Sequence, residues 1–398
     1  MRPLEGTRIL DLSQVMAGPL CTMLLSDMGA EVIKVESTAQ GDVSRSWGPH
    51  IQGNESAYFL SVNRNKQSLA LDLKQHEGRE ILRRLVARSD VLVENFRPGV
   101  LKRLGFSYEE VKRIKSDIIY CSISGYGQEG PSSLEPALDL VIQARSGLMS
   151  ITGEADRPPV KMGLPVTDMT AGMYCTYAIT LALLEKNRTG KGTHVDISLL
   201  DSAVSWLSFW MVGFLATGEE STRMGSAHPS VVPYQLLPAR DGWIAIAAAS
   251  DVLWKRLCKA IGRTDLMNDK RFATNPDRLK NRDVLIHLLS PIFKTKPVSK
   301  WTKILLKEEI PASPVNSVSD VAKDAQLIYR KLFQEVEHPR AGKVVIPHNP
   351  IRFLDKEQDP IAKSPPLLGE HTREILMELS YRPEEIEKMI SKAVVRIG

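Results

Sequence analysis

The tightest constraint on the fold is an alternation that runs from Arg8 to Ser198, in which short β-rich runs and helical patterns follow one another with brief connections. Arg8-Ile9-Leu10-Asp11-Leu12 reads as a buried strand, Gly18 to Met28 as a helix stopped by Gly29, and Glu31-Val32-Ile33-Lys34-Val35 as the next strand. Such βαβ units set parallel strands side by side through right-handed crossovers. The pattern recurs with strands at Ser68–Leu73, Asp90–Val93, Ile118–Ser124 and Thr193–Ser198, and helices at His76–Arg88 and Ser107–Lys115. Ser107 with Glu110 three residues on has the spacing of a capping box. The fold class is α/β with a large, open, mostly parallel, Rossmann-like sheet, although periodicity alone does not separate an open sheet from a barrel.

A chain of 398 residues exceeds one small core. The Gly-, Ser- and Pro-rich stretch Gly218–Pro233 marks a boundary. It divides the chain into a large domain over 1–217, to which 335–398 returns, and a smaller α+β domain with linkers over 218–334. In the smaller part Gly242–Ala247 reads as a strand and Asp251–Ala260 as a helix, with proline-broken helices after it. Lys343–Ile346 and Ile351–Leu354 read as short strands, and Pro365-Pro366-Leu367-Leu368-Gly369-Glu370-His371-Thr372 introduces a terminal helix.

Composition removes several classes of function. The excess of 52 basic over 47 acidic residues contains no block of like charge, so nucleic acid and membrane are not expected partners, whereas an anionic small molecule suits it. The four cysteines lie far apart without metal-ligand spacing, which argues against a disulfide framework or a zinc site. With no apolar leader at Met1–Gly6, a reducing, cytoplasmic setting is expected. The apolar run Leu199–Leu215 is interrupted by Asp201, Ser202, Ser205 and Ser208 and reads as a core or contact helix.

Familiar site motifs are absent. Ser13-Gln14-Val15-Met16-Ala17-Gly18-Pro19 lacks the glycines of a dinucleotide turn, and Gly190-Lys191-Gly192-Thr193 lacks the spacing of a phosphate loop. Ser122-Ile123-Ser124-Gly125-Tyr126-Gly127 does not fit a nucleophile elbow, and the eight histidines are scattered. Two features remain. Asp168 ends the proline-stiffened loop Gly163–Thr167 just before a helical run to about Lys186, where it suits an N-cap or a reactive carboxylate. Basic residues also gather at strand ends: Lys34, Arg45, Arg64, Lys66, Lys74, Arg97, Lys102 and Arg103. Ligands of open parallel sheets bind beyond the strands' carboxyl ends, where such cations hold phosphates and Phe96 can stack on a base.

The chain resembles the class III CoA-transferases, the formyl-CoA transferase and carnitine-CoA transferase group. The resemblance is carried in order by Leu4-Glu5-Gly6, Asp11-Leu12-Ser13, Ala17-Gly18-Pro19, Gly29–Glu36, Asn63-Arg64-Asn65-Lys66, Leu92–Gly99, Gly125–Pro131, Thr167-Asp168, Thr189–Gly192 and Pro366–Thr372. It implies that Asp168 is the catalytic carboxylate. Val15 and Met16 would line the acyl site, Asp139 would stand where formyl-CoA transferase has a glutamate, and Leu71, Lys74, Asn95, Phe96 and Arg103 would contact CoA. Arg97 and Lys102 are added to the CoA contacts from their place beside these residues. Two departures stand out: Ser37 replaces the arginine that often holds the adenine end, and Ala247-Ala248-Ala249-Ser250 does not supply the glycine-rich loop of formyl-CoA transferase.

The resemblance further implies an interlocked-ring homodimer and CoA transfer between carboxylic acids. A CoA thioester would be the co-substrate, with no permanently bound cofactor and no metal. An ionised aspartate would attack the thioester carbonyl, hold the acyl group as an anhydride and pass it to an acceptor acid. Helix amides beside Asp168 would help to keep it anionic. Ala227–Gln235 and Trp47-Gly48-Pro49 look most like members that use dicarboxyl-CoA esters such as succinyl-CoA, with His228 or Arg45 paired to the distal carboxylate. A 2-methylacyl-CoA racemase is the alternative on the same fold, disfavoured because Pro136-Ala137-Leu138-Asp139-Leu140 lacks that enzyme's histidine. A non-catalytic CoA-ester binder is a third reading, disfavoured by the intact Asp168.

Overall fold

The computed structural model describes residues 2–355 and 361–398. It separates into two compact units, one formed by Met1–Leu148, Lys161–Gly218 and Gln326–Gly398, the other by Met149–Val160 and Glu219–Ala325.

The first unit opens with β1 (Arg8–Asp11), α1 (Ala17–Asp27), β2 (Glu31–Glu36), α2 (Ala57–Ser61), β3 (Lys66–Leu71), α3 (His76–Ala87) and β4 (Val91–Glu94). Next come α4 (Val100–Leu104), α5 (Tyr108–Ile114), β5 (Ile119–Ser124), α6 (Asp139–Arg145), α7 (Val166–Thr189), β6 (His194–Ser198), α8 (Leu199–Ser205) and α9 (Phe209–Thr217). The six strands are parallel in the order β3-β2-β1-β4-β5-β6. Every residue of β3, β4 and β5 is buried, which is why these strands do not alternate apolar and polar residues; the polar Lys66, Gln67 and Glu94 are buried with the rest. The order reverses between β1 and β4, so their carboxyl ends flank the crevice where ligands of such sheets bind. Ser107 and Glu110 do form the reciprocal capping box of α5.

In the second unit β7 (Tyr234–Pro238), β8 (Trp243–Ala247) and β9 (Ala312–Pro314) make a small antiparallel sheet. With α10 (Asp251–Ala260) and the helices Arg282–Phe293 and Val298–Lys307 they enclose a core that includes Trp254, Phe272, Leu289 and Trp301. The buried Arg278 guanidinium donates to the Val232 and Phe272 carbonyls and to Asp251 Oδ1.

The C-terminal segment rejoins the first unit. β10 (Phe333–His338) and β11 (Gly342–Pro347) form a hairpin, and β12 (Val395–Arg396) pairs antiparallel with β3 as the seventh strand of the main sheet. Ile351–Leu354 is not a strand; the partner of Lys343–Ile346 lies upstream in β10, which buries Val336 and His338, whereas Ile351 and Leu354 are exposed. The run Leu199–Leu215 is not one helix either. It breaks at Ser208, whose φ of 45° lies in the left-handed region, and α8 and α9 meet at 78°. No single helix among the described residues is long and apolar enough to cross a membrane.

Two features of the packing place the site. Helix α7 crosses α1 so closely that a Cβ on Gly172 would come 2.6 Å from the Ala17 carbonyl oxygen. Several of the cations expected at strand ends are internal: Lys34 Nζ pairs with Asp42 Oδ2 at 2.9 Å and Lys66 Nζ with Asp11 Oδ2 at 3.1 Å, all four side chains fully buried. Arg64 is likewise tied to Asp27. Lys34 therefore braces the loops after β1 and β2, Lys66 ties the start of β3 to β1 and α1, and Arg64 holds the end of α1, instead of offering charge to a ligand. Asp11 shows the effect: burial opposes its ionisation, yet Lys66 and Lys34 hold its carboxyl down to about 2.

Candidate active site

The crevice between the β1 and β4 ends is furnished by three loops and one helix start. After β1 the chain turns sharply, and Val15 takes a φ of 70°, a strained position for a β-branched residue. Its N–H is held by the Asp42 carboxylate at 3.1 and 3.2 Å. Asn95, beyond β4, clamps the same turn from the other side. Its Oδ1 accepts from Gln14 N and its Nδ2 donates to Gln14 O, both at 2.8 Å. The Asn95 amide is thereby committed to positioning Gln14 and Val15. Glu94 accepts from Phe96 N at 2.9 Å and fixes the start of the next loop. Burial, with a smaller contribution from Asp196, pushes the Glu94 carboxyl up to about 7.

Two cavities occupy this edge of the sheet. The first, about 320 Å³, is lined by Val15, Met16 and Ala17 of the first turn, Asn95, Phe96 and Arg97 after β4, Ser124 and Gly125 at the end of β5, Ala137, Leu138 and Asp168. The second, about 350 Å³, is lined by Ser37, Leu71, Lys74, Val100 and Arg103 among others. Gln14 and Phe96 belong to both linings, so the cavities adjoin at these two side chains. Together they make an elongated site with Lys74 and Arg103 in one chamber and Asp168 in the other.

Asp168 is not the N-cap. Helix α7 begins at Val166 with Pro165 as its cap residue, which puts Asp168 third in the helix. The cause is a tertiary contact: Asp139 Oδ1 accepts from both Thr167 N at 3.0 Å and Thr167 Oγ1 at 2.8 Å, and so caps the helix from α6. Gln143 Nε2 in turn donates to Asp139 Oδ2 at 2.7 Å. Asp139 thus takes the amide expected to support Asp168, and no donor among the described residues reaches the Asp168 carboxylate. Burial pushes the Asp168 carboxyl up to about 7, and the Asp139 charge adds to the rise. It is therefore only partly ionised at neutral pH, unlike an ordinary aspartate. Tyr58, Val15 and Met169 pack against the cluster of buried Met16, Met23 and Val62. The Tyr58 hydroxyl is pushed up to about 12 by burial and by the charges of Asp168, Asp139 and Asp42.

The remaining sequence candidates fall in different places. Leu71, Lys74, Phe96, Arg97 and Arg103 line one cavity or both, whereas the exposed Lys102 lines neither. Arg45 is not a free cation: Nε and Nη2 bind Glu36 at 2.7 and 2.8 Å, Nη2 also donates to Pro366 O, and the guanidinium lies over the Phe59 ring. His228 belongs to the second unit, where its ring stacks on Tyr234 and its Nδ1 accepts from Ser230 N. Sequence reasoning passed over Gln14, Ser124, Gly125 and Leu138. Gln14 sits beside two chosen residues, and Ser124-Gly125 ends a strand next to the switch point; strand-end position was the signal that could have found them.

Residues 4–372 match the family described as CoA-transferase family III. The chain belongs to that family. Among its relatives, the succinyl-CoA:glutarate CoA-transferase of Mus musculus is 44% identical over 396 residues, covering 99% of this chain and 91% of the relative. The succinyl-CoA:mesaconate CoA-transferase of Haloarcula hispanica is 38% identical over 95% of this chain and 96% of the relative. A crystal structure of a CAIB/BAIF family protein from Brucella suis superposes with a TM-score of 0.85 at 40% identity, covering 95% of this chain and 99% of that one. The protein is a CoA-transferase, with acyl-CoA thioesters as its co-substrates.

Proposed function

We propose that this family III enzyme transfers CoA from a dicarboxyl-CoA ester, succinyl-CoA or a close analogue, to a second carboxylic acid through an acyl anhydride on Asp168. The observation that carries the proposal is the position of Asp168: an unpartnered carboxylate on the wall of a cavity at the sheet's switch point, joined at Gln14 and Phe96 to a chamber bearing Lys74 and Arg103. A CoA thioester laid along the two chambers places its phosphates by Lys74 and Arg103 and its acyl end by Val15, Met16 and Asp168. The ionised Asp168 attacks the thioester carbonyl carbon, the C–S bond breaks, and CoA leaves as thiolate. The acceptor carboxylate then attacks the Asp168 carbonyl carbon of that anhydride and the donor acid leaves as carboxylate; CoA thiolate attacks the acceptor's carbonyl carbon in the new anhydride, forming the product thioester and freeing Asp168. Asp139 acts through Asp168 as a positioning residue, fixing the start of α7 and raising the nucleophile's basicity.

The relatives that act on succinyl-CoA and dicarboxylic acids support the substrate class. Arg97 is the cation on the wall of the Asp168 cavity and suits an anionic group of either substrate. With Arg45 committed to Glu36, it is the better candidate for the distal carboxylate. Ala137 and Leu138 give their side of the cavity no titrating group, so nothing there favours racemisation. A homodimer belongs to the same proposal. Met173, Tyr177, Leu181 and Leu184 on α7 and Phe209, Val212 and Leu215 on α9 are all exposed in the single chain, a surface that suits burial against a second copy. Incubation with succinyl-CoA and a panel of labelled carboxylic acids, read by mass for new CoA esters, tests the proposal. New thioesters are expected with dicarboxylates and none with Asp168→Ala, which still binds acyl-CoA; full exchange by that variant sinks it.

A further inference from the structure

The structure assigns the Ser124 hydroxyl and the first amides of helix α1 as the oxyanion-binding groups of the Asp168 cavity, an inference that rests on the proposed acyl transfer. Ser124 is the last residue of β5, paired in register with Ser198 of β6, and it lines the Asp168 cavity. It is 7% exposed, and its Oγ has no hydrogen-bond partner. Leaving a buried hydroxyl unpaired is costly, and native structures keep such groups where something else accepts from them. The neighbouring serines do not share this condition: Ser122 Oγ meets His194 Nε2 at 3.0 Å, and Ser198 Oγ accepts from Asp201 N as the cap of α8. Of the three, only Ser124 lines the Asp168 cavity, and its donor is unused.

Helix α1 supplies the second half. Its cap residue Met16 has no side-chain capping bond, and Met16 and Ala17 both line the Asp168 cavity. The Met16, Ala17 and Gly18 amides have no acceptor among the described residues, and Pro19 carries no N–H. Unlike α7, whose first turn Asp139 caps, this 11-residue helix presents its positive end to the cavity bare. Asp42 and Asn95 hold the strained turn before it from both sides, which fixes the helix start with respect to β4.

The chemistry needs such donors. When an Asp168 carboxylate oxygen bonds to the thioester carbon, the carbonyl π electrons move onto the carbonyl oxygen. The resulting oxyanion re-forms the double bond as the C–S pair departs with CoA thiolate, leaving the mixed anhydride. Donors already in place for that oxygen act in the transition state more than on the bound ester, so they raise kcat and leave KM nearly unchanged.

The test is Ser124→Ala, measured by the rate of CoA release on mixing with succinyl-CoA, by KM, and by thermal unfolding. CoA release slows ~10- to 100-fold, less than the ~100- to 1,000-fold for loss of one oxyanion donor because the α1 amides remain. KM stays within about threefold, and Tm holds or rises because an unpaired hydroxyl has gone. Ser124→Cys, which keeps a weak donor in a similar volume, falls between the two. CoA release within twofold of wild type overturns the assignment, as does a rise in KM at unchanged kcat, or a loss of rate that follows a lowered Tm. Failure of the underlying acyl transfer is separate: wild type would then release no CoA ahead of turnover, or Asp168→Asn would match it.

Discussion

Replacing Asp139 by asparagine separates the two causes that raise the Asp168 carboxyl. In the native chain that group moves from 3.8 to about 7, first through burial and then through the Asp139 charge. The rise corresponds to roughly 4 kcal/mol against ionisation. Burial is the larger cause, so Asp139 accounts for less than half, at most ~2 kcal/mol or a midpoint lowered by ~1.5 pH units. Asparagine retains an oxygen for the Thr167 amide and hydroxyl at the start of α7, while the bond from Gln143 Nε2 to the second oxygen is lost. The nucleophile must be ionised, so the rate of CoA release is full above the carboxyl's midpoint and lost below it. At pH 6 about a tenth of the native Asp168 is ionised; with a midpoint near 5.5 about three quarters would be, a gain of up to ~8-fold in the reactive form at that pH. The assay is the pH profile of kcat/KM for succinyl-CoA, compared between wild type and Asp139→Asn. A midpoint that stays within about 0.3 pH units of wild type, or moves upward, refutes the coupling between the two carboxyls.

Other consequences are direct. Lys74→Ala and Arg103→Ala, in the chamber away from Asp168, each raise KM for CoA thioesters about tenfold, leave kcat within about twofold, and blunt the salt dependence of KM; steady-state kinetics at two ionic strengths checks this. Gly172→Ala drives a methyl group to within 2.6 Å of the Ala17 carbonyl and forces α1 and α7 apart, costing ~1–3 kcal/mol. Thermal unfolding registers the loss, and activity falls with it because α1 and α7 both contribute to the wall of the cavity, through Ala17 and Asp168.

Much of the first unit was legible because its strands are short, apolar and separated by strong helix signals. Six parallel strands follow from that alternation, but their order does not, since order is a matter of which crossovers run left or right along the sheet. Asp168 shows where local reasoning stops. Its type and place suggested a cap, yet the helix starts earlier because Asp139, 28 residues before Thr167, supplies the capping oxygen. Lys34 and Lys66 teach the same lesson for charge. Lys34 lies inside β2 and Lys66 opens β3, away from the carboxyl ends where a phosphate would bind, and both are consumed by buried carboxylates that only the folded sheet brings near. Helix α7 shows how packing selects residue size. Met173, Tyr177, Leu181 and Leu184 are exposed, whereas the side packed inside carries Thr170, Ala171, Gly172, Cys175 and Ile179, with its first turns small enough for α1 to approach.

The central claim is that Asp168 carries the acyl group, and trapping it there is the most direct test. Enzyme mixed with succinyl-CoA is quenched with hydroxylamine, digested and mapped by mass. The account predicts a hydroxamate on Asp168 that appears only with the thioester and is absent from Asp168→Asn. A hydroxamate on another residue, or an unmodified Asp168 in enzyme that is turning over, would contradict it.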